Sequence, residues 1–510
     1  MNKQSASGKV FLVGAGPGDP RLITLRGAEL LAQADVVFYD GLVNPLLLKL
    51  TNGRCERTAR TQSGNHATVP QDSINEQLID EARTGRCVVR LKGGDPYIFG
   101  RGSEESRALS DAGIPFEIVP GITAATAAGV YAGFSFTHRH HSSAVAFVTG
   151  HETPDRETSQ LDYAALAQFP GTLVFYMGLA RVRTICKQLV AHGKSAATSA
   201  AVVSHASMPD QRVVTADLSQ LTEAVEQHEL RAPSLIVVGE CVNQRDTASW
   251  FESLPLFGLR IGITRPEQQA EDVVAAVVRA GGQPVVLPTI EIHPPDEQQL
   301  QQLDAAIDNP ESFDWLLFTS ANAVRGFMEQ LANRSLDARW LHQMKIAVIG
   351  PSTAAELKLW SLQADVISET SRADSLAESL TPLVAGKRCL WPAADRARET
   401  LSSLLTSAGA VVQQVVAYRH TDTPVSKELR QEFCQPPLDW IGISSPAIAR
   451  QSATLFPELV SGESQTRIVS ISKLTSEAAL EAGLTVHTEA IDTSWQGMLD
   501  AIAAAERGYE

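Results

Sequence analysis

The sequence predicts an α/β fold throughout, laid down as two successive halves. Three observations carry this. Short apolar runs alternate with helical stretches along the whole chain. Most of those runs are continuous, and the pattern makes a fresh start twice, at Lys9–Gly14 and at Leu259–Pro266. Continuous apolar runs suit strands covered on both faces, the habit of parallel sheets flanked by helices. Several parallel sheets are therefore expected.

In the first half the expected strands are Val10–Val13, Val36–Tyr39, Val88–Leu91, Ala144–Thr149, Thr172–Tyr176, Ala200–Val203 and Ser234–Val238. In the second half they are Arg260–Thr264, Pro284–Pro288, Trp315–Thr319, Lys345–Ile349, Arg388–Trp391, Val411–Val416, Trp440–Ser444 and Arg467–Ile471. Patterned helices such as Asp72–Thr84, Ala270–Ala280 and Ser375–Leu383 lie between them. Residues 1–8 read as a flexible start, 9–247 as one domain, 248–257 as a linker and 258–507 as a second domain. The linker carries Pro255, is followed by Gly258, and has little periodicity.

Composition bounds the function. The chain has 510 residues, is 44% hydrophobic and 20% charged, and carries a net charge of −15, as ordinary globular proteins do. An acidic surplus disfavours bulk nucleic-acid binding. No apolar run approaches the roughly 20 residues of a bilayer span, so no membrane association is expected. The six cysteines, Cys55, Cys87, Cys186, Cys241, Cys389 and Cys434, are scattered without a CxxC pair. That fits a reducing cytoplasm and argues against a metal site.

The first chemical motif is Gly14-Ala15-Gly16-Pro17-Gly18-Asp19-Pro20, between a strand and a helix. Asp19 suits an N-cap and Pro20 a first helical position. Glycines admit close backbone approach to a ligand. The spacing is GxGxG, and Pro17 has no N–H for a pyrophosphate, so a dinucleotide reading fails. A ligand cradle and a purely structural turn both remain open for this segment. Further strand ends carry Arg90–Gly102, Val119–Thr126 and Phe175–Gly178. Ligands of open α/β sheets bind beyond the carboxyl ends of strands.

Taken in order, GAGPGDP, VVFYDGLV, VPQDSIN, RLKGGDPYIFGRG, VPGITAA, FTHR, VTGH and FYMGLA resemble the tetrapyrrole methylase family, most closely uroporphyrinogen-III C-methyltransferases. The resemblance runs from Lys9 to Asn243. It implies a fold of two α/β subdomains, a homodimer, S-adenosyl-L-methionine as methyl donor, and a tetrapyrrole with eight carboxylates as substrate. It implies that Pro17, Gly93, Gly94, Asp95, Ile98, Thr123, Ala124, Met177 and Ala206 hold the cofactor. Asp40 would be the base beside the methyl acceptor, and Arg101 and Arg139 would meet substrate carboxylates, with Arg107, His138, His140 and His141 nearby. Two departures stand out. No lysine occurs in Ala59–Gly64, where the family commonly has one, so no proton-donor role passes to that stretch. Ala206 stands where a glycine is often found.

From its residues the second half shows no decisive catalytic motif. Thr319–Asn322, Gly350–Ala354 and Ser444–Pro446 are polar strand ends that either cap the next helix or face an anion. The ordered pieces ITRP, GGQPVVLPTIEI, FTSANAV, IGPSTA, WPAADRARETL, VVAYRHT, ISSPAIA and ISKLTSEAA resemble uroporphyrinogen-III synthases. That implies a two-lobed α/β fold, with lobe one at 258–293 plus 424–507 and lobe two at 297–419, working without a cofactor. It also implies Tyr418 as helper of water departure and Thr319, Ser320, Ser352, Thr353 and Ser445 as carboxylate contacts. Together the halves would cyclise hydroxymethylbilane to uroporphyrinogen III and methylate it twice, through precorrin-1 to precorrin-2. The competing readings are a nucleotide-dependent dehydrogenase or ferrochelatase, and a methyltransferase fused to an inactive, synthase-like binding module.

Overall fold

A computed structural model describes residues 8–58, 71–151, 161–247, 249–370, 372–397, 399–422, 430–431, 433 and 436–508. The expected flexible start (Gly8 apart), the stretch Ala59–Gly64 and Cys434 lie outside the described residues. The chain forms two compact units, one of residues 1–261 with 274–284 and 502–510, the other of residues 262–273 with 285–501.

The first unit holds two five-stranded sheets. Strands β1 (Lys9–Gly14), β2 (Val36–Tyr39), β3 (Arg54–Arg57), β4 (Cys87–Lys92) and β5 (Phe116–Val119) pair in the order β3-β2-β4-β1-β5, all parallel. Helix α1 (Leu25–Gln33) starts at Thr24, whose hydroxyl accepts from the Gly27 amide. Val10, Leu12, Phe38 and Val88 bury one face against α2 (Gln71–Arg83) and α3 (Gly102–Asp111), while Val13, Val37 and Leu91 pack with α1 on the other.

The second sheet contains β6 (Val145–Thr149), β7 (Thr172–Tyr176), β8 (Ser199–Ser204), β9 (Arg212–Asp217) and β10 (Ser234–Val238), in the order β6-β7-β10-β8-β9. Only β6 and β7 are parallel; the β7–β10, β10–β8 and β8–β9 pairs are antiparallel. In this one sheet the expected parallel pairing does not hold. Alternate residues of β7, β8 and β10 fall into two separate cores, one beneath α4 (Ala124–Ala132) and one on the opposite face. Both faces being covered makes the runs continuous, and strand direction leaves no trace in such a run.

The segment expected as a linker is packed. The Phe251 ring is 2% exposed and lies 4.7 Å from the Tyr131 ring, and Trp250 Nε1 donates to the Val130 carbonyl at 3.0 Å.

Two further sheets follow. One has the order β12 (Gln283–Val286), β11 (Arg260–Ile263), β19 (Trp440–Ile443), β20 (Arg467–Ser470), β21 (Thr488–Glu489). The other has six strands in the order β13 (Ile290–His293), β18 (Val411–Asp422), β17 (Arg388–Ala394), β14 (Trp315–Phe318), β15 (Lys345–Val348), β16 (Val366–Ile367). All its pairs are parallel except β13–β18. β13 was expected inside lobe one, yet it pairs from Ile290↔Asp422 to His293↔Arg419 at the edge of this second sheet. β18 is 12 residues long and continues past the end of β17, so its far end needs another source of ladder hydrogen bonds.

Candidate active sites

In the first unit the carboxyl ends of β4, β1 and β5 converge so tightly that side chains are excluded. A Cβ on Gly14 would stand 2.5 Å from the Gly121 Cα, and one on Gly121 would stand 2.2 Å from the Gly94 carbonyl oxygen. Gly16 and Gly94 exchange backbone hydrogen bonds at 2.7 and 3.2 Å. The Asp95 carboxylate locks this convergence. One oxygen accepts from the Tyr97 and Ile98 amides, and the other accepts from the Gly121 amide at 3.0 Å. If this locality holds the methyl donor, as the resemblance implies, Gly121→Ala abolishes that binding, because the added methyl collides with backbone, which cannot swing aside. Donor binding at wild-type affinity in calorimetry would show that the three ends are not a cradle.

The other cofactor candidates line the same locality. Thr123, the N-cap of α4, shares a 2.7 Å hydrogen bond with the Tyr176 hydroxyl, which also accepts from the Ala125 amide. Met177 follows Tyr176 with a φ of 54° and is 50% exposed. A left-handed non-glycine residue at a strand end is strained, and such strain collects at functional sites. Phe99 and Arg101 share that conformation, and the Phe99 ring lies 4.8 Å from that of Tyr176. Ala206 is flanked by left-handed His205 and Ser207, and the Ser207 hydroxyl accepts from the Asp19 amide beside Pro17 and Gly18. Asp19 caps the turn Pro20–Leu22 as expected, and Arg21 and the Tyr131 hydroxyl occupy its carboxylate.

Asp40 closes β2 beside this cradle. Arg90 pairs with its carboxylate, and Thr58 donates to it at 3.1 Å. Burial alone would push the acid up. The charges of Arg90 and Lys92, with hydrogen bonds from Arg90 and Thr58, outweigh burial and hold it below its ordinary value. Glu105 of α3 binds both cations, Arg90 Nε at 3.1 Å and Lys92 Nζ at 2.8 Å. Sequence reasoning missed Arg90, Lys92 and Glu105. The signal was Arg90-Leu91-Lys92 ending a strand of buried valines, because charges on one face of a covered strand need partners.

The proposed substrate contacts are less converged. Arg101 is exposed and forks onto Glu104 at 2.7 and 2.9 Å. Arg139 is exposed on a turn where the His138 and His141 rings lie 4.7 Å apart. Among the described residues, no three His, Cys, Asp or Glu side chains group as metal ligands.

In the second unit Tyr418 is buried in the core of the six-stranded sheet, its hydroxyl 3.0 Å from Ser320 Oγ. Burial raises its pKa, aided by Asp395 and opposed by the Ser320 hydrogen bond. Ser320 also caps the helix Ala321–Asn333 by accepting from the Ala323 amide, and Ser445 caps Pro446–Leu455 in the same way. The capping reading therefore holds for both, leaving each hydroxyl with further hydrogen-bonding capacity. Trp391 Nε1 lies 3.4 Å from Thr319 Oγ1. Ser352 is exposed and Thr353 buried in the first turn of Gly350–Leu359. Thus Thr319, Ser320 and Tyr418 come together, and Ser445 stands on the other sheet.

Residues 9–222 match the family of Tetrapyrrole (Corrin/Porphyrin) Methylases, and residues 271–500 match the family described as Uroporphyrinogen-III synthase HemD. The porphyrin biosynthesis protein HemD of Ruminiclostridium josui is 39% identical over 364 residues, covering 71% of each chain. The siroheme synthase of Ectopseudomonas mendocina is 52% identical over 248 residues, covering 48% of this chain and 53% of that one. The chain thus spans about half the length of the siroheme synthases it matches. A solved structure, uroporphyrin-III C-methyl transferase from Thermus thermophilus with S-adenyl homocysteine, is 38% identical, covers 46% of this chain and 93% of that one, and has a TM-score of 0.40. Among the described residues no helix is long and apolar enough to cross a membrane. With both domains matched in order, and a relative of the same length class covered across the junction, the chain belongs to the fused tetrapyrrole methylases and uroporphyrinogen-III synthases of porphyrin biosynthesis.

Proposed function

We propose that the second half closes hydroxymethylbilane to uroporphyrinogen III and the first half methylates that product twice, through precorrin-1 to precorrin-2. The observation that carries the methylation reading is an Asp40 carboxylate, held ionised by Arg90 and Lys92, at the mouth of a glycine cradle.

The cradle fits S-adenosyl-L-methionine. It offers backbone at Pro17, Gly93, Gly94, Thr123 and Ala124, apolar side chains at Ile98, Met177 and Ala206, and the Asp95 carboxylate. Its cations Arg90 and Lys92 are bound to Asp40 and Glu105, so the surroundings suit a sulfonium. That ligand supplies an electrophilic methyl group. The chain's own part is to align the acceptor and to take the proton that the cation left by ring methylation sheds from a position other than the now quaternary carbon, a task that suits Asp40. Arg101 and Arg139 would meet the acceptor's carboxylates. In the synthase half, Tyr418 donates to the departing hydroxyl while Thr319, Ser320, Ser352, Thr353 and Ser445 hold carboxylates.

The test is an anaerobic assay with hydroxymethylbilane and S-adenosyl-L-methionine, read by absorbance and mass. A product with two added methyl groups is expected. Uroporphyrinogen III without methyls would remove the methylation reading. The type I isomer alone would leave the second half a binding module.

A further inference from the structure

The buried charges behind Asp40 are arranged unevenly. Three donors meet on a single oxygen of Glu105: Arg90 Nε at 3.1 Å, Lys92 Nζ at 2.8 Å and Gln71 Nε2 at 3.0 Å. Its other oxygen, Oε2, is buried with no hydrogen-bond partner, and the residue is fully buried. A buried carboxylate with a bare oxygen is expensive, and buried ion pairs contribute little net stability. Stability alone therefore gives no account of it. Arg90 supplies the link to the chemistry, because one end of its guanidinium holds Asp40 while the other is pinned by Glu105.

We propose that Glu105 is a positioning residue for methyl transfer, which through Arg90 and Lys92 fixes where the Asp40 carboxylate stands. This rests on Asp40 acting as the base. Within the ion-paired set itself, the two carboxylates Asp40 and Glu105 balance the two cations Arg90 and Lys92. The groups facing Asp40 are Arg90 and Lys92 of β4, Thr58 after β3, and Arg57 of β3, whose guanidinium lies against Gly41; Glu105 of α3 and Gln71 of α2 stand behind the two cations. Neutralising Glu105 leaves the cations in excess, which favours the Asp40 anion still more but frees Arg90 to move.

The experiment compares Glu105→Gln, Lys92→Met and Asp40→Asn in the full chain, measuring kcat, KM and the acid limb of methyl transfer to uroporphyrinogen III. Glu105→Gln is expected to lower kcat about tenfold to a hundredfold with KM little changed, as misplacement of a reacting group does. Its acid limb moves to lower pH. Lys92→Met removes a cation and moves the limb to higher pH. Loss of folded protein alone would lower the rate without moving either limb. Wild-type kcat and limb in Glu105→Gln overturn the proposal. If that variant does not fold, an unmoved limb in Lys92→Met overturns it. Full methylation by Asp40→Asn would instead remove the base itself, and the positioning role with it.

Discussion

Replacing Asp40 by Asn is expected to reduce methyl transfer about 10²- to 10⁴-fold, the range that a positioned general base contributes. Asn keeps the shape and one acceptor oxygen, so the Thr58 and Arg90 contacts can persist and S-adenosyl-L-methionine should bind as before. What is lost is a proton acceptor. Because Arg90 and Lys92 outweigh burial and hold the Asp40 acid below its ordinary value, the wild-type rate should fall on the acid side only below the usual carboxylate range. That limb should vanish in the variant. Calorimetry of donor binding and single-turnover methylation decide the matter, and methylation within threefold of wild type would end the assignment of Asp40 as base.

The second large effect is expected at Tyr418. Phe at this position fills the same space in the core around Phe318, Phe327 and Val415 and removes only the hydroxyl. The loss of its bond to Ser320 should cost about 1 kcal/mol of stability. Formation of the type III isomer should drop about 10²-fold, because burial and Asp395 keep the phenol protonated at neutral pH and so able to donate to a departing hydroxyl. Anaerobic turnover with separation of the isomers measures this. An unchanged type III rate would make Tyr418 a packing residue whose hydroxyl serves the Ser320 cap.

The strands most readable from sequence were the covered ones. Thr172–Tyr176 and Ser234–Val238 declare themselves by apolar continuity. The edge strands did not. Arg54–Arg57 is mostly exposed and polar, and Arg212–Asp217 alternates at the rim of its sheet, so neither carries a continuous run. Strand direction in the second sheet was equally silent, since an antiparallel strand buried on both faces has the composition of a parallel one.

The glycines of the converging strand ends were legible. Gly14 and Gly121 leave no room for a Cβ, and Gly94 stands in the left-handed region. The charges behind Asp40 were not legible, because the pairing of Arg90 and Lys92 with Glu105 depends on how α3 lies across β4. The strain at Met177 was hidden too, because left-handed backbone leaves no mark on a methionine.

The packed residues after position 248 decide how this fusion can be dissected at the gene level. A reading frame stopped before Trp250 would remove Phe251 and leave the Tyr131 ring wet, so the excised first enzyme would carry a sticky bald patch. A break at Gly258 spares that ring contact but parts Leu254 and Leu256 from Gly281 and Gly282, against which they pack, and residues 274–284 belong to the first compact unit. Recombinant halves joined or separated at Gly258 keep the aromatic plug with the partner it seals.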